Sequence, residues 1–365
     1  MNIKNKVLKV IVFFIIGILI FQILTYIFVP KWINSLDSPP SRIKSYYKEK
    51  KNSIDVLMVG NSDLSEGYSP ILVWKNYGIT SYNLGTQKQS IGFSYYMIKE
   101  AIKYQDIKMI VMDMDSAFTA PKVPETRSRQ FFDNIRLGKE KFEAINDSKL
   151  KIEDKDRLSY FFPLLRFHTR WNELKEEDFK KSLEDEYQKL SYKGGVVITD
   201  VEPYVYDKNY MKERNKKVEM NEINLYYMNK IFELCREKNI KLLCIEIPSA
   251  TNGVDKKNNN SPFYNWTLAK SKYVDELTKK YGVEFIDFNL PENIEKINFD
   301  WSKDSSDGGN HLNIYGAEKV SEYIGKVLSE KYNLKDHRND NEIALNWNET
   351  EKKYEDRKIE LHIDN

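Results

Sequence analysis

Two stretches far apart in the chain carry side chains with the chemistry of acyl transfer. Gly60-Asn61-Ser62-Asp63-Leu64 follows the apolar run 54–59, and Asp307-Gly308-Gly309-Asn310-His311-Leu312-Asn313 precedes a helix-like segment near the end of the chain. A hydroxyl attacks a carbonyl only when a neighbouring base takes its proton, and that base works best when a third group orients it. Ser62 is the candidate nucleophile, His311 the candidate base, and Asp307 the candidate orienting acid, in the chain order Ser…Asp…His. Taken alone, Gly-Asn-Ser-Asp is also ordinary turn and helix-cap chemistry. The histidines narrow the choice. There are four, His168, His311, His337 and His362, and the last two sit in a charged C-terminal stretch that reads as solvated. His311 lies in a glycine-containing loop and titrates in the range a general base needs.

These residues require elements that bring both stretches to one edge. Segments 54–59, 80–84, 108–114, 241–247 and 283–288 read as strands, the first as a buried apolar run. Between and after them, 70–77, 92–104, 222–238, 266–281 and 317–332 read as helices. Short, nearly continuous apolar strands alternating with helices predict an α/β fold with a parallel sheet covered on both faces. In such sheets ligand sites gather at the carboxyl ends of the strands, where Ser62 falls.

Residues 117–200 break this rhythm with Arg, Lys, Glu and aromatic residues, including a helical patch over 170–190, and read as an insertion over the strand ends. The expected organisation is a cytoplasmic stub and membrane helix at 1–30 and a linker at 31–50. The main domain follows at 51–335, with a charged, solvated tail at 336–365. Residues 7–29 are apolar apart from Lys9, Gln22 and Thr25, enough at about 1.5 Å per residue to span a hydrocarbon core of about 30 Å. Lys4, Lys6 and Lys9 cluster at the start of this segment, which predicts a cytoplasmic N-terminus and an extracellular domain. A cleaved signal peptide would need a shorter core and small residues at the cleavage site, and 26–32 offers none.

Composition excludes some classes. The 365 residues carry a net charge of +2 with both signs interspersed, so no basic face for nucleic acid is expected. Cys235 and Cys244 read as buried thiols without metal-ligand spacing, and no cofactor or metal is implied.

Gly60 to Leu64 after a strand resembles the first block of the SGNH (GDSL-type) hydrolase superfamily, and Asp307 to Asn313 resembles its last block. Tyr82-Asn83-Leu84-Gly85-Thr86 looks like the second block, whose glycine N–H serves the oxyanion hole. The resemblance covers about residues 50–332 and runs closest to membrane-anchored members of Gram-positive bacteria, such as the D-alanyl-teichoic-acid transfer and alginate acetylation proteins. It implies a three-layer, flavodoxin-like sheet and a Ser-His-Asp site in which Ser62 and Gly85 supply oxyanion donors. It further implies a cell-membrane esterase or acyltransferase acting on envelope glycan or teichoic acid, with a membrane-bound O-acyltransferase as acyl-donor partner. Asp63, Asn83 and Asp115 are candidates for substrate contact at the strand exits. Arg166, His168, Arg170 and Trp171 are candidates from the insertion, although a helix packing Phe167 and Trp171 into the domain accounts for the same residues.

Three departures from the pattern matter. Asn61 replaces the usual Asp before the nucleophile. Asp307 stands four residues before His311 instead of three, which leaves Asp304 as an alternative acid. The third block, a Gly-x-Asn after the third strand, is absent; the chain reads Met112-Asp113-Met114-Asp115-Ser116. A lost oxyanion donor costs about 2.7–4 kcal/mol of transition-state stabilisation, which motivates a rival reading as a binding or scaffold subunit that keeps the fold.

Overall fold

The computed structural model describes residues 3–30, 39–119, 121–150, 152, 157–179, 192–203, 218–249 and 263–363. Helix α1 (Ile3–Phe28) is followed by α2 (Pro39–Tyr46), strand β1 (Val56–Val59), α3 (Ser62–Gly67), α4 (Pro70–Tyr77), β2 (Ser81–Asn83), α5 (Ile91–Ala101) and β3 (Met109–Asp113). The irregular middle holds α6 (Glu125–Phe132), α7 (Lys139–Asn146), α8 (Leu158–Phe161), α9 (Leu164–Phe167) and α10 (Glu176–Phe179). The regular alternation then resumes with α11 (Glu222–Lys238), β4 (Lys241–Glu246), α12 (Phe263–Lys280), β5 (Glu284–Asp287) and α13 (Pro291–Lys296). The chain ends with the short hairpin strands β6 (Ser305–Ser306) and β7 (His311–Leu312), then α14 (Ile314–Lys326) and α15 (Asn341–Glu360).

Strands β1 to β5 form one parallel sheet in the order β2-β1-β3-β4-β5, with Val56 opposite both Ser81 and Met109. Strands β1 and β3 are buried along their whole length, which is why they read as unbroken apolar runs. Their alternate side chains feed two cores. Leu57, Val59, Ile110 and Met112 join residues of α5 and α11, whereas Val56, Met58, Met109 and Val111 join residues of α4 and α14. The result is a three-layer α/β fold. From β1 the chain crosses to β2 on one side and then returns to β3 on the other. The crevice at the carboxyl ends of β1 and β3 is therefore the topological switch point.

The segment expected over the strand ends divides. Helix α7 packs on α5 and α6 on α2, with Phe93 and Phe131 stacked at 4.9 Å. Helices α9 and α10 rest against α1. Among the described residues of this segment, 192–203 travel to the strand-end loops. They bond β2 through Asn83 N–H to Lys193 O at 2.9 Å and reach the late loop through Ile314 N–H to Ile198 O at 2.8 Å. Of the helix expected over 170–190, the described part is a short turn at His168–Asn172 and α10; residues 180–190 lie outside the described residues.

The tail is a correction. Instead of a solvated extension, α15 docks on α4, its inner stripe formed by Ile343, Trp347, Thr350, Tyr354 and Lys358. Trp347 lies 5.2 Å from Trp74 between ring centroids, and Lys358 Nζ pairs with Glu318 at 2.9 Å. His337, expected in solvent, is buried with Nε2 2.8 Å from Asp55 Oδ2, while its backbone N–H donates to Gly78 O. Burial of the apolar stripe outweighs the charge of the outer face. His362 stays exposed. Cys235 and Cys244 are buried free thiols.

Candidate active site

The apolar β1 ends at Gly60, where a Cβ would come within 2.6 Å of Asp113 Cβ on the neighbouring strand, so the turn needs glycine. Asn61 then caps α3: its Oδ1 accepts from Asp63 N–H at 2.9 Å. This makes Ser62 the first residue of the helix, at the switch-point crevice. An N–H at that position has no intrahelical acceptor.

The other half of the site comes from the β6–β7 hairpin. Asn313, fully buried, caps α14 and donates through Nδ2 to Lys303 O at 2.6 Å, which anchors the hairpin to the sheet domain. Asp307, Gly308 and Gly309 take φ of 41°, 71° and 86° in succession. Three left-handed residues in a row absorb the extra loop residue, and for Asp307 this conformation costs roughly 1–2 kcal/mol. In return its carboxylate grips His311 twice. Oδ1 accepts from His311 N–H at 2.9 Å, and Oδ2 lies 2.8 Å from Nδ1. With Nδ1–H donating to Asp307, Nε2 carries the lone pair, and it faces Ser62 Oγ at 2.9 Å. Asp304, the alternative acid, is buried elsewhere, paired with Lys319 Nζ at 2.6 Å.

Electrostatics around the imidazole are strongly acidic. Asp63 Oδ1 is 3.7 Å from Nε2 and Glu66 Oε2 is 3.7 Å from Nδ1. Burial alone would lower the His311 pKa, but Glu66, Asp63 and Asp307 together raise it above the usual histidine value. Burial lifts Asp307 less than its hydrogen bonds from His311 and Asn310 lower it, so its carboxyl sits below the usual range. Asp63 goes the other way: burial, then the charge of Asp115, pushes it up to about 7.

Beneath the nucleophile runs a buried polar network. Asn61 Nδ2 donates to Asp63 Oδ2 at 3.1 Å and to Asp115 Oδ2 at 2.6 Å. Lys270 on α12 pairs with Asp115 at 2.9 Å and with Glu246. Asp113 is buried with no partner on either carboxyl oxygen, and burial raises its pKa well above the carboxylate range, favouring the neutral acid. Lys270, Glu66 and Asn61's bridging amide did not emerge from the sequence. The available signal for Lys270 was a lysine in line with Val274 and Leu277 on the inner stripe of an amphipathic helix.

Several sequence candidates land elsewhere. Gly85 N–H donates to Asn83 Oδ1 at 3.0 Å, so it is committed to a local turn instead of the oxyanion position assigned to it. The amide of Asn83 in turn braces α3 through Leu64 O at 3.0 Å. Asp115 is a buried structural partner. Arg166 bonds Glu125, Arg170 bonds Asp178 and the carbonyl of Phe28, and His168 Nδ1 is 2.9 Å from Leu165 O. Trp171 is 71% exposed beside them. This group lies against α1, where Phe162 meets Phe21 and Arg170 holds the carbonyl of Phe28.

No family model matches the chain, and no curated protein matches it. Among solved structures, it is similar to a candidate acylhydrolase from Bacteroides fragilis, with 11% identity and TM-score 0.38 over 80% of this chain and 95% of that one. A GDSL-like lipase from Bacteroides thetaiotaomicron gives 9% identity and TM-score 0.38 over 80% and 99%. A candidate platelet activating factor from Streptococcus pneumonia gives 11% and 0.38 over 80% and 91%.

Proposed function

We propose that this chain is a serine acyl-transfer enzyme of SGNH type, tethered by α1 to the cell membrane with its main domain outside. The observation that carries the reading is the continuous path from Ser62 Oγ to His311 Nε2 at 2.9 Å and from Nδ1 to Asp307 Oδ2 at 2.8 Å. In the reaction, Nε2 takes the hydroxyl proton as Oγ forms a bond to the acyl carbonyl carbon. The tetrahedral oxyanion accepts from the Ser62 N–H at the start of α3. Collapse breaks the bond to the donor oxygen, which leaves with the proton from the imidazolium. An acceptor hydroxyl, or water, then reverses the sequence. By the resemblance of its motifs, the acceptor is an envelope polysaccharide or teichoic acid, and the donor is loaded by a membrane-bound O-acyltransferase. Helix α1 is long and apolar enough to cross a membrane, and Lys4, Lys6 and Lys9 in its first turns suit a cytoplasmic N-terminus.

A second reading, a binding subunit of an acylation assembly with little chemistry of its own, is favoured by one observation. The Gly85 N–H is occupied by Asn83, which leaves the oxyanion with fewer donors. A fluorophosphonate probe separates the two. Stoichiometric labelling of the full chain that disappears in Ser62→Ala is the expected result; an unlabelled wild type leaves the binding reading.

A further inference from the structure

Helix α1 is exposed around its circumference until its last two turns, where Phe21, Thr25 and Phe28 become half-buried, spaced four and three residues apart on one face. The inserted segment covers that face. Phe162 meets Phe21 edge-on at 5.9 Å, Arg170 donates to the carbonyl of Phe28, and α9, α10 and the turn between them pack alongside. Phe21 lies seven residues before the end of the helix, roughly 10 Å along its axis. A segment packed there sits at the depth of the boundary between headgroups and acyl chains whenever α1 spans the bilayer.

The same segment exposes its own apolar side chains. Leu158 is 62% exposed, Trp171 71% and Phe179 59%, with Phe162 and Leu165 also open. Leu158 opens α8, Phe162 follows its end and Leu165 lies on α9, and Trp171 has the amphipathic ring that favours membrane interfaces. Between 157 and 179 four basic side chains balance four acidic ones, so headgroup charge gives little attraction and apolar burial must drive contact.

We infer that the apolar surface formed by Leu158, Phe162, Leu165, Trp171 and Phe179 rests in the outer lipid interface beside α1. This surface is a second membrane contact that fixes how the catalytic domain is tilted over the bilayer. The inference rests on the proposal that α1 spans the membrane. Lipid is the occupant that continuity with α1 selects, because the patch adjoins the stretch of that helix nearest the interface.

The test uses the full chain in phosphatidylcholine vesicles, with bimane attached at Trp171→Cys or Phe179→Cys. Reference labels are Ile18→Cys within α1 and the exposed Leu345→Cys on α15, which packs on α4. The native thiols are buried, with Cys235 pushed up to about 12 and Cys244 also raised, both by burial, so they compete poorly for the label. The expected result is several-fold stronger quenching at 171 and 179 by lipids with nitroxides near the headgroup than by deep-chain nitroxides. Ile18→Cys should be quenched by the deep probes and Leu345→Cys by neither. Adding half phosphatidylglycerol should leave the pattern unchanged. Quenching at 18 without quenching at 171 and 179 overturns the inference while the anchor stands. That outcome with dimer-sized particles by light scattering gives the surface to a second copy. No quenching at any position removes the anchor as well.

Discussion

His311 must be neutral at Nε2 to accept the serine proton, so the carboxylates around it set the pH at which the site works. Glu66, 3.7 Å from Nδ1, and Asp63, 3.7 Å from Nε2, stabilise the imidazolium and raise its pKa. A base with a raised pKa is available only above that pKa, so kcat/KM should rise with pH through a limb lying above the ordinary histidine value of about 6.5. Replacing Glu66 with Gln keeps the shape of the side chain and removes one negative charge. The limb should move to lower pH, with the plateau rate changed less than its position. An unmoved limb in the Glu66→Gln pH–rate profile would show that Glu66 does not govern the base. Ser62 and His311 were legible in the sequence through residue type and loop placement taken together, whereas the choice between Asp307 and Asp304 waits on which of them reaches the imidazole. The fate of the Gly85 N–H was not, since it depends on whether the Asn83 side chain turns back to its own backbone. The buried partnership of Asn61, Asp115 and Lys270 joins three distant elements, so no local pattern could disclose it.

At the scale of elements, the fold divides by how cleanly burial writes itself into the sequence. Central strands of a doubly covered sheet are apolar on both sides, and all five strands lie inside segments read as strands from the sequence, although β2 is only Ser81-Tyr82-Asn83. Helix α15 escaped notice because only one narrow stripe is buried and Lys, Glu and Asp surround it. Its inner positions still repeat at helical spacing from Ile343 to Lys358, and Asp340 caps its start by accepting from Glu342 N–H. The same stripe predicts what holds it. Trp347 is almost fully buried against Trp74 and is also covered by the Lys193 ammonium at 4.9 Å. Trp347→Ala removes a large buried ring and should lower unfolding stability by about 3–5 kcal/mol. The exposed Leu345→Ala on the same helix should change it by less than about 0.5 kcal/mol. Equal losses in denaturant titrations of the two variants would mean that α15 contributes no packing of its own.

For the molecule as a whole, the acids buried under the crevice give stability an unusual pH dependence. Asp63 is pushed up to about 7 by burial and by Asp115, while burial also raises Asp113, Glu246 and Asp287. In the unfolded chain these groups ionise near their ordinary values of about 4. Between about pH 4 and 7 the native state therefore holds more protons than the unfolded state, and unfolding free energy falls as pH rises. His311 acts in the same direction: its raised pKa gives stability that is present below about 6.5 and lost as pH rises through the folded value. Asp307, Glu125 and Glu140 are lowered instead, so they withdraw stability only as pH falls below about 4. The melting temperature of the full chain should accordingly be higher at pH 5 than at pH 8. Asp63→Asn, which keeps the side-chain shape without an ionisable proton, should flatten that difference by removing a contribution on the order of a few kcal/mol. A wild-type melting temperature that climbs from pH 5 to pH 8 would show that neither the buried acids nor His311 take up protons on folding, because both contributions fall as pH rises.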